Sequence, residues 1–288
     1  MNWNERRERF RAVLAGKECV YPASVFDPIS VRIAEDLGYE IGMFSGSVAS
    51  LTVLGAPDLV VLTLSEFAGQ ALRINRAATL PLMTDADHGY GNALNVKRTV
   101  EELETAGVCG LSIEDTVLPI PFGSPDKPQV LSIEEGVGKM RAALAGRQDK
   151  SLVVVGRSSS ASIAGLADTI ARAKAYEAAG VDAFFPAGVK SRAELEAIAE
   201  AIRIPIVLGA PVAELQDRTY LATQRVRICI QPHLPIVAAA CAVYETMKAL
   251  REGIAPADVP GVASLELMKR VTRDADYRRS IKEFLGGN

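Results

Sequence analysis

PLMTDADHGYGNALNVKRTVEELETAGVCGLSIED, residues 81–115, contains one complete structural unit and the four acids Asp85, Asp87, Glu114 and Asp115 that follow apolar runs. Pro81–Asp85 is a short apolar run that ends in an acid. Leu94–Ala106 has helical patterning. Gly107 then supplies the left-handed cap that ends a helix, and the chain turns directly into a second apolar run, Gly110–Glu114. The order is strand, helix, glycine, strand.

The same ending recurs at Asp36-Leu37-Gly38-Tyr39 and at Ala178-Ala179-Gly180-Val181. Further apolar runs are Cys19–Val25, Glu40–Ser45, Leu152–Arg157, Ala183–Pro186, Ile204–Leu208 and Val226–Ile230. With the two above they make eight strands, rich in Val, Ile, Leu and Phe and without strict alternation, as in strands covered on both faces. Helical patterns separate them at Ser30–Leu37, Leu64–Ala77, Ile133–Ala145, Leu166–Ala179 and Arg192–Ala201. Eight such units predict a closed parallel (β/α)₈ barrel of the α/β class. A doubly wound open sheet is the rival, but Val20–Asp27 lacks the glycine-rich loop that usually follows its first strand. A long apolar helix, Pro235–Leu250, and a polar helical tail to Asn288 follow the last strand. The expectation is one barrel domain over residues 1–288, with 235–288 as a C-terminal helical extension.

Composition fits this reading. Apolar residues make up 49% of the 288 and charged residues 23%, with a formal net charge of -3. No basic stripe suggests nucleic acid, and no apolar run is long enough to span a membrane. The N-terminal MNWNERRERFRAVL reads as a charged amphipathic helix without a signal peptide's apolar core. None of Cys19, Cys109, Cys229 and Cys241 forms a C-x-x-C pair, which suits buried free thiols in a reducing cytoplasm.

Acids gather where strands end. Asp85 and Asp87 follow the third strand, Glu114 and Asp115 the fourth, and Asp58 lies in the loop region after the second. In a barrel these ends meet at one mouth, where converging carboxylates repel unless a cation balances them. Oxygen ligands favour Mg²⁺, with Mn²⁺ as a substitute, and two histidines in the whole chain rule out a zinc site of three. The plainer alternative makes Asp85 and Asp87 caps of the helix near Leu94, or residues that serve the turn before it. Ser45-Gly46-Ser47 follows the second strand and reads either as an anion-approaching turn or as a plain turn. Arg157 ends the fifth strand, as a carboxylate clamp or a structural ion pair. His233 follows the eighth, as a contact residue or a satisfied structural histidine.

The SGS turn, TDADHGYGN (84–92), GLSIEDTVLP (110–119) and Arg157 together resemble the phosphoenolpyruvate mutase/isocitrate lyase superfamily over roughly Phe10 to Leu250. The segments Ala23–Pro28, Gly46–Leu51, Leu62–Phe67, Asp85–Val96 and Glu134–Lys139 are most similar to its oxaloacetate decarboxylase branch. The resemblance implies a barrel with a swapped eighth helix, assembled as a homotetramer (a dimer of dimers). It implies Asp85 as the direct Mg²⁺ ligand, with Asp58, Asp87 and Glu114 holding the metal's waters. Ser45, Gly46 and Ser47 would receive the substrate carboxylate, Arg157 would clamp it, and His233 would contact substrate.

The implied activity is Mg²⁺-dependent decarboxylation of oxaloacetate to pyruvate and CO₂ through a metal-stabilised enolate, with an ordered water or Tyr90 protonating C3. A lyase, mutase or hydrolase acting on another small 2-oxo or 2-hydroxy acid is the alternative, and a non-catalytic binding protein on the same fold is another. Lyases of the superfamily carry a catalytic cysteine on the loop after the fourth strand, whereas Asp115–Val130 here has neither cysteine nor histidine. Two departures from the branch pattern stand out: Gly156-Arg157-Ser158-Ser159-Ser160, where Ser159 replaces an amide or carboxylate, and Gln231-Pro232-His233-Leu234 around the histidine.

Overall fold

The computed structural model describes residues 3–124, 127–209 and 211–286. Pro125 and Asp126 of the long segment Asp115–Val130 lie outside the described residues, as do the first two and last two residues of the chain. Eight parallel strands follow one another around the sheet: β1 (Ala23–Ser24), β2 (Gly42–Ser45), β3 (Leu82–Asp85), β4 (Gly110–Glu114), β5 (Val153–Ser158), β6 (Ala183–Pro186), β7 (Ile206–Gly209) and β8 (Val226–Ile230). The parallel bridge Val20–Ile228 closes the ring. The fold is an α/β barrel of the expected type.

The first strand is shorter than Cys19–Val25, for a covalent reason. Pro22 has no N–H to give a ladder, so the run divides around it. Val20 bonds β8 through its N–H to Arg227 O (2.9 Å), and Ala23 bonds the β2 side through its N–H to Ile41 O (2.9 Å). One interrupted strand thus serves both sides of the seam.

Helices α1 (Trp3–Ala15), α2 (Pro28–Asp36), α3 (Gly46–Ala49), α4 (Leu64–Ala77), α5 (Ala93–Thr105), α6 (Ile133–Gly146), α7 (Ser160–Ile163), α8 (Leu166–Ala179), α9 (Arg192–Ala201) and α10 (Arg218–Thr223) intersperse the strands. Their starts are chemically marked. Asp27 with Ser30, and Thr63 with Glu66, form reciprocal capping boxes, and Ser132 and Ser191 cap α6 and α9. Each such cap contributes about 1 kcal/mol. Gly38, Gly107 and Gly180 all take positive φ (79°, 84° and 100°), as their place at helix ends requires.

The barrel interior is filled by Ile41, Met43, Met83, Val153, Val155 and Val207, among others. Phe10 of α1 plugs the N-terminal end against Gly110, where a Cβ would come within 2.6 Å of the ring. Cys19, Cys109 and Cys229 are buried free thiols as expected, whereas Cys241 is exposed.

The chain divides into two compact units, residues 1–232 and 233–288. The second contains α11 (Leu234–Arg251), α12 (Leu265–Thr272) and α13 (Asp274–Leu285). No residue of α11 is buried, and Val237, Val243, Tyr244 and Met247 stand exposed on it. Among the described residues, no helix is long and apolar enough to cross a membrane.

Candidate active site

Strand register builds the mouth of the barrel. Ser45 pairs with Asp85 and Asp85 with Ser112, and two residues further along the strands Glu114 pairs with Arg157, so these side chains form two successive levels at the strand ends. A period of two carries the inward face upward from Met43 to Ser45, from Met83 to Asp85 and from Val155 to Arg157. Apolar packing below and charge above lie on the same face of the same strands.

Arg157 stands at the centre. Its Nη1 donates to Asp85 Oδ2, and its Nε lies 3.5 Å from Glu114 Oε2. Its guanidinium sits over the Phe185 ring, 5.3 Å from the centroid. Asp85 Oδ1 accepts from Ser112 Oγ at 2.9 Å, and Glu114 Oε2 accepts from Thr116 Oγ1 at 2.8 Å. Burial alone would lower the pKa of Arg157, but Asp85 and Glu114 outweigh it and push it up. The carboxylates are less well served. Burial pushes Asp87 well above the usual carboxylate range, and Asp85 and Glu114 add to that by repulsion. Glu114 is raised by burial against the pull of Arg157. Asp58, on the exposed loop, is raised by partial desolvation and by Asp85. One guanidinium does not neutralise this group of acids.

Asp85 and Asp87 do not cap the following helix; Asn92 caps α5, accepting from Leu94 N at 2.9 Å. Asp87 instead occupies a left-handed turn (φ 48°), followed by Gly89, Tyr90 and Gly91, also at positive φ. Ser45-Gly46-Ser47 is more than a plain turn. Ser45 caps the short helix α3 and lies 2.9 Å from Ser47 Oγ, and a π-helical turn, Ser50–Leu54, continues from α3. Gly46 backs directly onto Asp87, where an added Cβ would lie 2.7 Å from the carboxyl carbon. The Tyr90 hydroxyl is buried without a partner among the described residues, and burial with Asp87 and Asp85 keeps it protonated.

The first unit therefore brings together Ser45, Gly46, Ser47, Asp58, Asp85, Asp87, Glu114 and Arg157. His233 belongs to the second unit, as the residue before α11. Among the described residues, no group of three or more His, Cys, Asp or Glu side chains is arranged to hold a metal ion. Acids that repel one another around a single guanidinium still suit a hard cation held largely through water, because Mg²⁺ typically takes only one or two carboxylates directly.

Several supporting residues escaped the reading of the sequence. Ser112 was within reach, since it shares a strand face with Glu114. Thr116, Phe185, Arg172 and Tyr176 carried no local signal, and Asp115, read as one of the strand-end acids, is instead buried with the last two. Asp115 Oδ2 accepts from Arg172 Nη1 at 2.9 Å and from Tyr176 OH at 2.6 Å, tying the end of β4 to α8.

Comparison with known proteins adds identity to this geometry. The family model for phosphoenolpyruvate phosphomutase matches residues 10–251. The chain is 59% identical to an oxaloacetate decarboxylase of Rhodopseudomonas palustris (strain BisB18) and 58% identical to one of Bradyrhizobium diazoefficiens, each alignment covering 99% of both chains. Oxaloacetate acetylhydrolase in complex with 3,3-difluorooxalacetate superposes with a TM-score of 0.86 at 25% identity, covering 99% of this chain and 98% of that one. Phosphonopyruvate hydrolase complexed with oxalate and Mg²⁺ does so at 0.85 and 26%, covering 97% and 99%.

Proposed function

The chain belongs to the phosphoenolpyruvate phosphomutase family, and from that premise we propose that it decarboxylates oxaloacetate to pyruvate and CO₂. The observation that carries the chemistry is the mouth itself, where Asp85 and Glu114 flank Arg157 and Asp87 sits raised beside them. The substrate follows from relatives that carry the name oxaloacetate decarboxylase at 54–59% identity over nearly the whole chain.

In this reading Asp85 would hold a Mg²⁺ ion directly, and Asp58, Asp87 and Glu114 would hold it through its waters. When bound, such a cation acts as a Lewis acid on the 2-oxo group and is needed most in the transition state. Arg157 supplies a planar, permanently charged fork for the C1 carboxylate. Ser45, Gly46 and Ser47 line the approach to that carboxylate, and His233 contributes a substrate contact. The C3–C4 bond breaks, C4 leaves as CO₂ and its electron pair forms the enolate of pyruvate. A proton delivered to C3 completes the reaction, and the buried, protonated Tyr90 hydroxyl is a suitable source. CO₂ departs without needing a proton, so a loop with neither cysteine nor histidine is no obstacle.

The same proposal includes a homotetramer that buries α11 by exchange between subunits, for which the helix's exposed Val237, Val243, Tyr244 and Met247 speak. It also includes residence in the cytoplasm, which suits free thiols at Cys19, Cys109 and Cys229.

The test is product analysis. Enzyme with Mg²⁺ should convert oxaloacetate to pyruvate faster than Mg²⁺ alone, and EDTA should stop the added rate. Oxalate and acetate in place of pyruvate would move the assignment to hydrolysis, as the acetylhydrolase likeness would have it. No added rate of either kind would end the proposal.

A further inference from the structure

The turn that carries Asp87 is held on three sides. The carbonyl of Asp87 accepts from Glu114 N at 2.8 Å, on β4. That of His88 accepts from Lys139 Nζ at 2.8 Å, on α6, and that of Gly89 accepts from Thr99 Oγ1 at 3.0 Å, on α5. Three consecutive carbonyls thus meet three donors from three different elements. The turn needs them, because Asp87 (φ 48°) and Tyr90 (φ 61°) both occupy left-handed backbone that non-glycine residues rarely adopt.

Lys139 is the unusual member. It is 3% exposed, and among the described residues its hydrogen-bond acceptor is a neutral carbonyl. A buried ammonium without a hydrogen-bonded carboxylate is expensive to keep. Burial pulls its pKa down, and it is tolerable here because Glu135, one turn earlier on α6, and then Glu114 and Asp115 supply negative potential nearby. The lysine gives in return a charge-assisted bond, stronger than a neutral donor would make.

We infer that Lys139 is a positioning residue of the active site: from outside the mouth it clamps the His88 carbonyl and so fixes the left-handed turn that presents Asp87. This rests on the reading of Asp85 and Asp87 as the cation-holding acids. Positioning and simple charge have opposite consequences. Removing a positive charge near a cation site should tighten cation binding by electrostatics alone. Releasing the turn should weaken it.

The experiment is a Mn²⁺ titration of the full chain followed by electron paramagnetic resonance, with wild type, Lys139→Met and Asp85→Ala, well below each protein's melting temperature. Lys139→Met should weaken Mn²⁺ binding by about 10-fold or more, the scale on which groups that orient ligands act. Amide exchange across residues 86–91 should quicken in the same variant. Affinity equal to wild type, or tighter, would overturn the inference. Should Lys139→Met not fold, Lys139→Gln keeps a donor without the charge and is expected to show a smaller loss of the same sign; unchanged affinity there would likewise overturn it. Failure of the underlying reading looks different: wild type would bind no Mn²⁺, or Asp85→Ala would bind it as tightly as wild type, and the inference would fall with it.

Discussion

The two ends of the barrel treat charge in opposite ways. At the N-terminal end every arginine of the α1 cluster has matched acceptors. Arg7 donates to Val108 O, Glu104 O and Asp149 Oδ2 at 3.0, 2.6 and 2.7 Å. Arg11 and Arg147 share Asp182, at 3.0 and 2.6 Å. Asp149 is partly desolvated, yet hydrogen bonds from Ser151 and Arg7 hold its carboxyl below the usual range. At the C-terminal mouth burial acts on carboxylates with too few partners, and Asp87, Glu114 and Asp58 are all pushed up. The first end closes its electrostatics internally and contributes stability. The second leaves them open, as a site does when a ligand is to complete it.

The largest expected effect comes from striking the open end at its centre. Asp85→Ala should reduce Mg²⁺-dependent oxaloacetate turnover by about 10³-fold or more, since losing several kcal/mol of charge stabilisation has that consequence. Circular dichroism should show an intact barrel. Retained turnover in excess EDTA would remove the mouth from the chemistry.

Arg157→Ala comes next. Oxalate mimics the planar enolate of pyruvate and should compete with substrate. The variant should bind it about 2–5 kcal/mol more weakly if a desolvated charge pair is lost. His233→Ala should affect oxaloacetate turnover more than oxalate binding, because oxalate lacks a C4 carboxylate. Equal losses on both ligands would make His233 structural.

The two ends also differ in how legible they were. The strand–helix–glycine–strand units announced the barrel, and the acids at strand ends announced the mouth, because both signals are local and periodic. Pro22 was visible, but splitting β1 between two neighbours depends on ring closure, which no local pattern encodes. Lys139 entered only as the end of the similar segment Glu134–Lys139, with no role attached; its burial shows only once α6 is packed. Tyr176 and Arg172 looked like ordinary positions on α8, yet they converge on Asp115 across more than fifty residues. Gly46 read either as part of an anion-approaching turn or as part of a plain turn, and its close approach to Asp87 was not part of either reading. Long-range partners are set by topology, and topology is what the local patterns left implicit.

At the closed end, Asp149→Asn should cost stability and spare activity. Arg7 is 5% exposed and Asp149 25% at the side chain, so the pair is partly desolvated and its loss should cost about 1–3 kcal/mol. Thermal unfolding should fall by about 2–4 °C per kcal/mol, with kcat for oxaloacetate unchanged. A loss of turnover without a loss of stability would contradict the division between the two ends.

The smallest effect separates the ends by the sign of their response to pH. Asp149 has a depressed pKa when folded, so its contribution is present above the unfolded carboxylate value and is lost as pH falls through the folded one. Asp87 and Glu114 have raised values, so theirs is present below the unfolded value and is lost as pH rises through the folded ones. Metal-free protein carrying Asp87→Asn should therefore melt slightly above wild type once pH exceeds the raised range, because a neutral amide relieves the repulsion. Asp149→Asn should melt below wild type at every pH from 4 to 8, because a depressed carboxyl begins to lose its contribution only below the usual carboxylate range. Mg²⁺ should raise the melting point of wild type more as pH rises, since the acids it would engage must first lose their protons. It should raise Asp87→Asn less, for want of one carboxylate. Melting curves from pH 4 to 8, with and without Mg²⁺, would show it. If Asp87→Asn and Asp149→Asn shifted in the same direction at every pH, the mouth would be as internally balanced as the base.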